Sequence, residues 1–382
     1  MRIELSEDQK LVHRTVREFA AAELRPHAAT WDREGTFPLA LVPKLAGLGL
    51  LGLAVPAEHG GAGLDMVSAM LAIEAISWGD GAIGLTVASH NSLCAGHILL
   101  FANDEQKHRY LPKLARGEAL GAWCLTEPGA GSDAASIQTR ARRSGRIYVL
   151  NGSKVFVTQG SIGGVYVVMA VTDPAAGKDG ISAFIVDRGA PGLRIGKKED
   201  KLGVRASDTA EVTFEDCEVP ASAMIGRQGG GYQQAMAILE RGRIGIAAMA
   251  VGLGRAALDD SLVYAAQRQT FGKPIAQHQA IQFMLADMGT ELDAAWLLTL
   301  RAAQLVDLGH SFRREGSMAK LFASEAGARA TNKAVQIHGG YGFIKGYAVE
   351  RYYRDIKLCE IGEGTSEIQR IIISKSLIGT RS

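Results

Sequence analysis

The middle of the chain constrains the fold most. IYVLNGSKVFVTQG, VYVVMAVT, ISAFIVDR and AEVTFEDCEVP are β-branched or alternating runs separated by turns of Gly, Asp, Pro and Asn. No helix-length segment alternates with them, which argues against a doubly wound parallel sheet. The flanks read the opposite way. Before residue 119, Ser6 and Gln9 form a capping box, and Leu11, Val12, Val16 and Phe19 form an apolar stripe. FPLALVPKLAGLGL and DEQKHRYLPKLARG are also helix-like, with a break at VPAEHGGAG. Three long helical stretches then begin at 233, 280 and 317, followed by a shorter one, and predict an antiparallel bundle. The expected fold is mostly α with a central β domain. It has an N-terminal helical domain (1–118), a barrel- or sandwich-like β domain (119–231) and a C-terminal four-helix bundle (232–382).

Composition narrows the function. Of 382 residues, 47% are hydrophobic and 21% charged, with a net charge of +2, so neither a nucleic-acid footprint nor a polybasic membrane patch is expected. The longest apolar run, 244–254, is too short to span a bilayer. MRIELSEDQKL has no apolar core of a signal or transit peptide. Cys94, Cys124, Cys217 and Cys359 are scattered without a CxxC pair, which fits a reducing, cytoplasmic compartment. His90, Cys94 and His97 share a helical face, but a fourth ligand is missing and no metal is expected.

Several short stretches can carry chemistry. GSIGGV, GRQGGGY and HGGYGF are glycine clusters without the strand–GxGxxG–helix context, and tight turns explain them. In WCLTEPGAGSDAAS, Thr126, Glu127, Ser132 and Asp133 surround a turn with exposed N–H groups. Such a turn suits a polar heteroaromatic edge or a pyrophosphate, or is simply a decorated β-turn. In KVFVTQG, alternation sets Phe156 and Thr158 on one face and Val155 and Val157 on the other. In LCEIGEGTSEIQR, Glu363 stands between Gly362 and Gly364, just ahead of a helix, either as a first-turn acid or as a base.

WCLTEPGAGSD, KVFVTQG, QRQTFGKPIAQHQAIQ, QIHGGYGF and IGEGTSEIQR together resemble the acyl-CoA dehydrogenase family in order and spacing. KKEDKLGVRASDTAEVTFEDCEVP and LERGRIGIA are most similar to its short-chain, butyryl-type members. The resemblance implies an FAD enzyme that oxidises an acyl-CoA to the trans-2-enoyl-CoA. Glu363 would take the α-proton while the β-hydride goes to flavin N5. It also implies that Trp123, Leu125, Thr126, Ser132, Phe156, Thr158, Thr365 and Glu367 line FAD. Arg268, Phe271, Gln279, Gln336, His338, Gly339 and Gly340 would reach FAD held mainly by a neighbouring subunit. A homo-oligomer, usually a tetramer, and an electron-transferring flavoprotein as acceptor follow from the same resemblance.

The resemblance implies acyl-CoA contacts from Ser132, Glu240, Arg243 and Gly364. Glu240 is expected to contact substrate or to pair with Arg243. Some relatives carry their base immediately before this arginine, where this chain has Gly242. Ser366 and Gln369 read as a capping box. Burial is expected to raise the Glu363 pKa against the helix dipole once substrate has displaced water. Gly362, Phe156 and Gln159 replace the family's usual Tyr, Trp and Asn. The missing Tyr side chain should widen the pocket toward branched acyl groups. Two other readings compete: oxidation of carrier-protein-tethered acyl or aminoacyl thioesters, and a flavin-binding relative without turnover.

Overall fold

The structure, a computed structural model, describes residues 4–379. It opens with helices α1 (Glu7–Phe19), α2 (Ala28–Glu34), α3 (Val42–Gly47), α4 (Met66–Gly79), α5 (Gly81–Ser89), α6 (Gly96–Phe101) and α7 (Asp104–Ala115). The capping box is present: Ser6 Oγ accepts from Gln9 N at 3.2 Å, and Gln9 Oε1 accepts from Ser6 N at 3.0 Å. Leu11 departs from the expected stripe and is exposed, while Val16 is buried. The helix-like stretch from Phe37 yields only the short α3, because Gly49 turns left-handed (φ 71°) and ends it.

Eight strands follow: β1 (Gly121–Cys124), β2 (Arg140–Ser144), β3 (Ile147–Thr158), β4 (Val165–Val171), β5 (Ile181–Asp187), β6 (Leu193–Lys198), β7 (Thr209–Pro220) and β8 (Met224–Ile225). They make one sheet in the order β6-β7-β3-β2-β4-β5-β8, with β1 paired in parallel along β4. Alternation sends β4 into two cores. Val165, Val167 and Met169 pack with Ile98, Leu111 and Leu114 of the N-terminal helices. Tyr166, Val168 and Ala170 pack with Tyr148 and Phe214 on the other face. A strand buried on both faces reads as a continuous apolar run, as VYVVMAV does.

The third part begins with α8 (Gly231–Gln267), followed by a small ribbon, β9 (Gln269–Thr270) and β10 (Lys273–Pro274). Then come α9 (Gln279–Asp307), α10 (Arg313–His338), α11 (Val349–Asp355), α12 (Lys357–Ile361) and α13 (Ser366–Ile378). Helices α8, α9 and α10 pack mutually, and α13 lies on α10. The apolar run 244–254 of α8 is buried throughout because it is the centre of the helical core. No helix among the described residues is long and apolar enough to cross a membrane.

Candidate active site

The turn between α12 and α13 carries an unusual backbone. Gly362 is extended, whereas Glu363 (φ 55°) and Gly364 (φ 99°) are in the positive-φ region. A non-glycine residue there costs of order 1 kcal/mol or more and persists only when its surroundings hold it. Here they do. The Gly364 carbonyl accepts from Lys320 Nζ and from Gln369 Nε2, each at 2.8 Å. The Glu363 carbonyl accepts from Arg243 Nε at 3.4 Å. Arg243, Lys320 and Gln369 are all buried.

The Glu363 carboxyl is enclosed. The residue as a whole is half-buried, but Oε2 is shut from solvent and has no hydrogen-bond partner among the described residues. It lies on Gly242 of α8, where a Cβ would come to 1.9 Å from Oε2. Burial lifts its pKa to about 7, against the pull of the Arg243 and Lys320 charges. Desolvation therefore outweighs the two nearby cations. The Glu363 N–H donates to no group among the described residues and is free to meet a ligand.

Three expectations need correction. Ser366 and Gln369 form no capping box. Thr365 is the N-cap, its Oγ1 accepting from Ile368 N at 3.4 Å, and the Gln369 side chain turns back to the Gly364 carbonyl. Glu240 pairs with Arg313 of α10 (3.1 Å) rather than with Arg243, whose guanidinium turns to the Glu363 carbonyl. The strict alternation of β3 breaks at a bulge between Lys154 and Val157, where Phe156 takes φ 56°. Phe156 is consequently 66% exposed, and Thr158 is half-buried.

A second group gathers where β1 leaves the sheet beside β3. Trp123 and Thr126 are half-buried, Leu125 is buried and Ser132 is exposed. Val155 N donates to the Thr126 carbonyl at 2.9 Å, which ties the two segments together. Glu127 and Ala130 exchange backbone bonds at 3.1 Å and close the turn. Beneath it the Glu127 carboxylate accepts from Lys154 Nζ (2.7 Å), Gln138 N and Thr139 N. An outward-facing aromatic ring beside hydroxyls and a rigid turn fits a flat heteroaromatic group with a polar edge.

The remaining expected residues stand apart. Arg268 lies at the end of α8 with its guanidinium over Tyr341 (5.6 Å), and His338 stacks on Tyr264 at 4.2 Å. Phe271 (φ 52°) is 96% exposed, and Gln279, Gln336, Gly339 and Gly340 are exposed. No hydrogen bond or ion pair among the described residues joins this group to the Glu363 turn. A cleft beside it is lined by Arg268, Thr270, His338, Gly340 and Tyr341. Thr365 and Glu367 flank the Glu363 turn, with Glu367 exposed.

His90 Nε2 meets the Leu51 carbonyl and its Nδ1 accepts from Gly121 N. His97 bridges Gln234 and the Trp123 indole, and Cys94 points at the Val165 carbonyl. No group of three or more metal-ligating side chains is assembled among the described residues. The sequence did not single out Lys320, the Gln369 contact with the Gly364 carbonyl or the pairing of Glu127 with Lys154. The available signal was a lysine within the small-residue stretch SMAKLFASEA, one helix face that α10 buries.

The chain matches three family models: acyl-CoA dehydrogenase N-terminal domain over 6–118, middle domain over 122–217 and C-terminal domain over 229–378. It is 46% identical over 376 residues to the mitochondrial short-chain specific acyl-CoA dehydrogenase of Homo sapiens, covering 98% of this chain and 91% of that one. Butyryl-CoA dehydrogenase from Megasphaera elsdenii superposes with a TM-score of 0.97 at 40% identity, covering 99% and 100%. A chain from the structure of the electron transferring flavoprotein of Acidaminococcus fermentans gives 0.98 at 44% identity, with the same coverage. The kinship with short-chain, butyryl-type members expected from the sequence is borne out, and the chain belongs to the acyl-CoA dehydrogenase family.

Proposed function

We propose that this protein oxidises a short or short-branched acyl-CoA to the trans-2-enoyl-CoA, with Glu363 as the base. The observation that carries the reading is the Glu363 carboxyl: enclosed, unpaired at Oε2 and with its pKa raised to about 7. A thioester α-proton is weakly acidic, so a base must be strong and still ionised near neutral pH. Burial supplies the strength, and Arg243 and Lys320 keep an ionised fraction. The free Glu363 N–H is a donor for the thioester oxygen, where negative charge develops as the proton leaves. The positive φ at 363 lets one residue present both its carboxylate and its N–H to a ligand.

FAD is the cofactor in this reading, and when bound it supplies the acceptor for the β-hydride. The turn at Thr126 to Ser132, the open face of Phe156, Thr158, Thr365 and Glu367 would hold it from one subunit. Arg268, Phe271, Gln279 and the segment from Gln336 to Gly340 would reach it from another. Phe271, 96% exposed, and Phe343, 86% exposed, offer aromatic rings of the kind enriched in subunit interfaces, which is in keeping with a homo-oligomer. Gly362 supports branched acyl groups, since a Cβ there would meet Leu358 only at ordinary contact distance and leaves room beside the base. An electron-transferring flavoprotein is the proposed acceptor. The four free, buried cysteines are in keeping with a reducing compartment.

Product analysis tests the proposal. FAD-loaded protein with an artificial acceptor should convert butyryl-CoA, and isobutyryl- or 2-methylbutyryl-CoA, to products lighter by two hydrogens. Failure with all of these thioesters would refute it.

A further inference from the structure

We infer that Lys320 is a positioning residue for the base: its Nζ holds the Gly364 carbonyl and so keeps Glu363 in its left-handed turn over Gly242. This rests on the reading of Glu363 as the base.

The geometry is specific. Lys320 is 0% exposed, and its hydrogen bond runs to a neutral backbone carbonyl rather than to a carboxylate. A buried cation without an ion-pair partner costs several kcal/mol unless its other interactions compensate. Its contact is with a turn that combines a non-glycine at positive φ, Glu363, with a positive-φ glycine directly beyond it. Gln369 donates to the same oxygen from α13, and Arg243 donates to the preceding carbonyl from α8. Three helices thus grip two consecutive carbonyls, and the carboxylate they aim has less than a methyl group's clearance above Gly242. Releasing Lys320 leaves Gly364 tied through Gln369 alone and lets the turn relax.

The same placement gives Lys320 an electrostatic effect. The groups facing Glu363 are Arg243 from α8 and Lys320 from α10, both of which lower its pKa. Burial lowers the pKa of Lys320 itself to about 8, with Arg243 adding to the fall and Glu363 and Glu360 of the neighbouring turn and α12 opposing it. Removing this charge should make the Glu363 carboxyl harder to ionise.

The test reads proton removal without hydride transfer. The thioester 3,3-dimethylbutyryl-CoA has α-hydrogens but no hydrogen on its β-carbon, so it can exchange its α-proton in D2O but cannot be oxidised to an enoyl product. Exchange by the FAD-loaded protein is followed against pH, together with melting temperature and thioester affinity. Wild type should exchange and Glu363→Gln should not. Absence of exchange by wild type would refute the reading of the base and this inference with it.

With wild type active, Lys320→Met should exchange about tenfold more slowly at its plateau. Its rising limb should move to higher pH while affinity changes little. Lys320→Gln keeps a donor and loses the charge, and it carries the test if the Met variant does not fold. It should hold its plateau within about threefold and shift the limb upward by about half a unit. A purely structural lysine would lower the melting temperature and leave both plateau and limb at wild-type values, and that result would overturn the inference.

Discussion

Glu363 and Gly242 share one site: the carboxylate fills the volume that a side chain at 242 would need, with a built Cβ 1.9 Å from Oε2. The base position on the C-terminal turn and the position before Arg243 on α8 therefore converge on a single space, which explains how relatives could carry a base at either. Gly242→Ala should push the carboxylate aside and cut turnover about 100-fold, the scale of a misplacement of about 1 Å. Helix α8 should not suffer, because alanine is the better helix former by about 1 kcal/mol. Turnover and melting temperature measured together check this, and unchanged turnover would contradict it.

The pH dependence follows from the raised pKa of Glu363. In the proposed reaction the ionised form is the base, so kcat/KM should rise through about pH 7 and level off above it. Stability runs the other way. A carboxyl whose folded pKa exceeds its unfolded value stabilises the fold below about pH 4.5, and that contribution is lost as pH rises through about 7. Glu363→Gln should therefore gain on wild type in thermal melts as pH passes from 5 to 8. A constant difference across that range would count against the enclosed carboxyl.

The Lys154–Glu127 pair anchors the turn that carries Thr126. Lys154 is fully buried and donates both to Glu127 and to the Leu125 carbonyl. Lys154→Met leaves a buried carboxylate unpaired, which should cost about 3–5 kcal/mol. Adding Glu127→Gln should recover part of that loss, because the unpaired charge is then gone. Denaturant titration of both variants, with bound FAD measured in parallel, tests the pair; simple additivity would argue against direct coupling.

Phe271 presents a whole aromatic ring to solvent at a left-handed backbone position, within the ribbon between β9 and β10. If a second copy covers it, Phe271→Asp should shift the protein to smaller species in light scattering and weaken FAD retention about tenfold or more. Normal assembly with full FAD content would remove Phe271 from the interface.

Local patterns were legible in the sequence, and tertiary pairings were not. The Ser6–Gln9 capping box needs only residues one turn apart, and it is present. The runs VYVVMAVT and ISAFIVDR announce strands because β-branched and other apolar residues dominate them, and both strands feed two cores. Glu363 stood out because two glycines bracket it. The same local logic failed at Ser366, where a capping box was written in the sequence but the Gly364 carbonyl accepts from the Gln369 side chain instead. For Glu240 the sequence offers substrate or Arg243 as partner, yet Arg313 reaches it from α10, a contact fixed only by helix packing. At Phe156 a bulge overrode alternation, since the extra residue of β3 has no counterpart on β7.

The central claim is that Glu363 takes the α-proton of an acyl-CoA. Its most direct test is anaerobic titration of FAD-loaded protein with butyryl-CoA, followed at the flavin absorbance band, for wild type beside Glu363→Gln. Wild type should bleach promptly and the variant more slowly by about 100- to 10,000-fold, the usual worth of a general base. Equal bleaching of the two proteins would contradict it and assign the proton to another group.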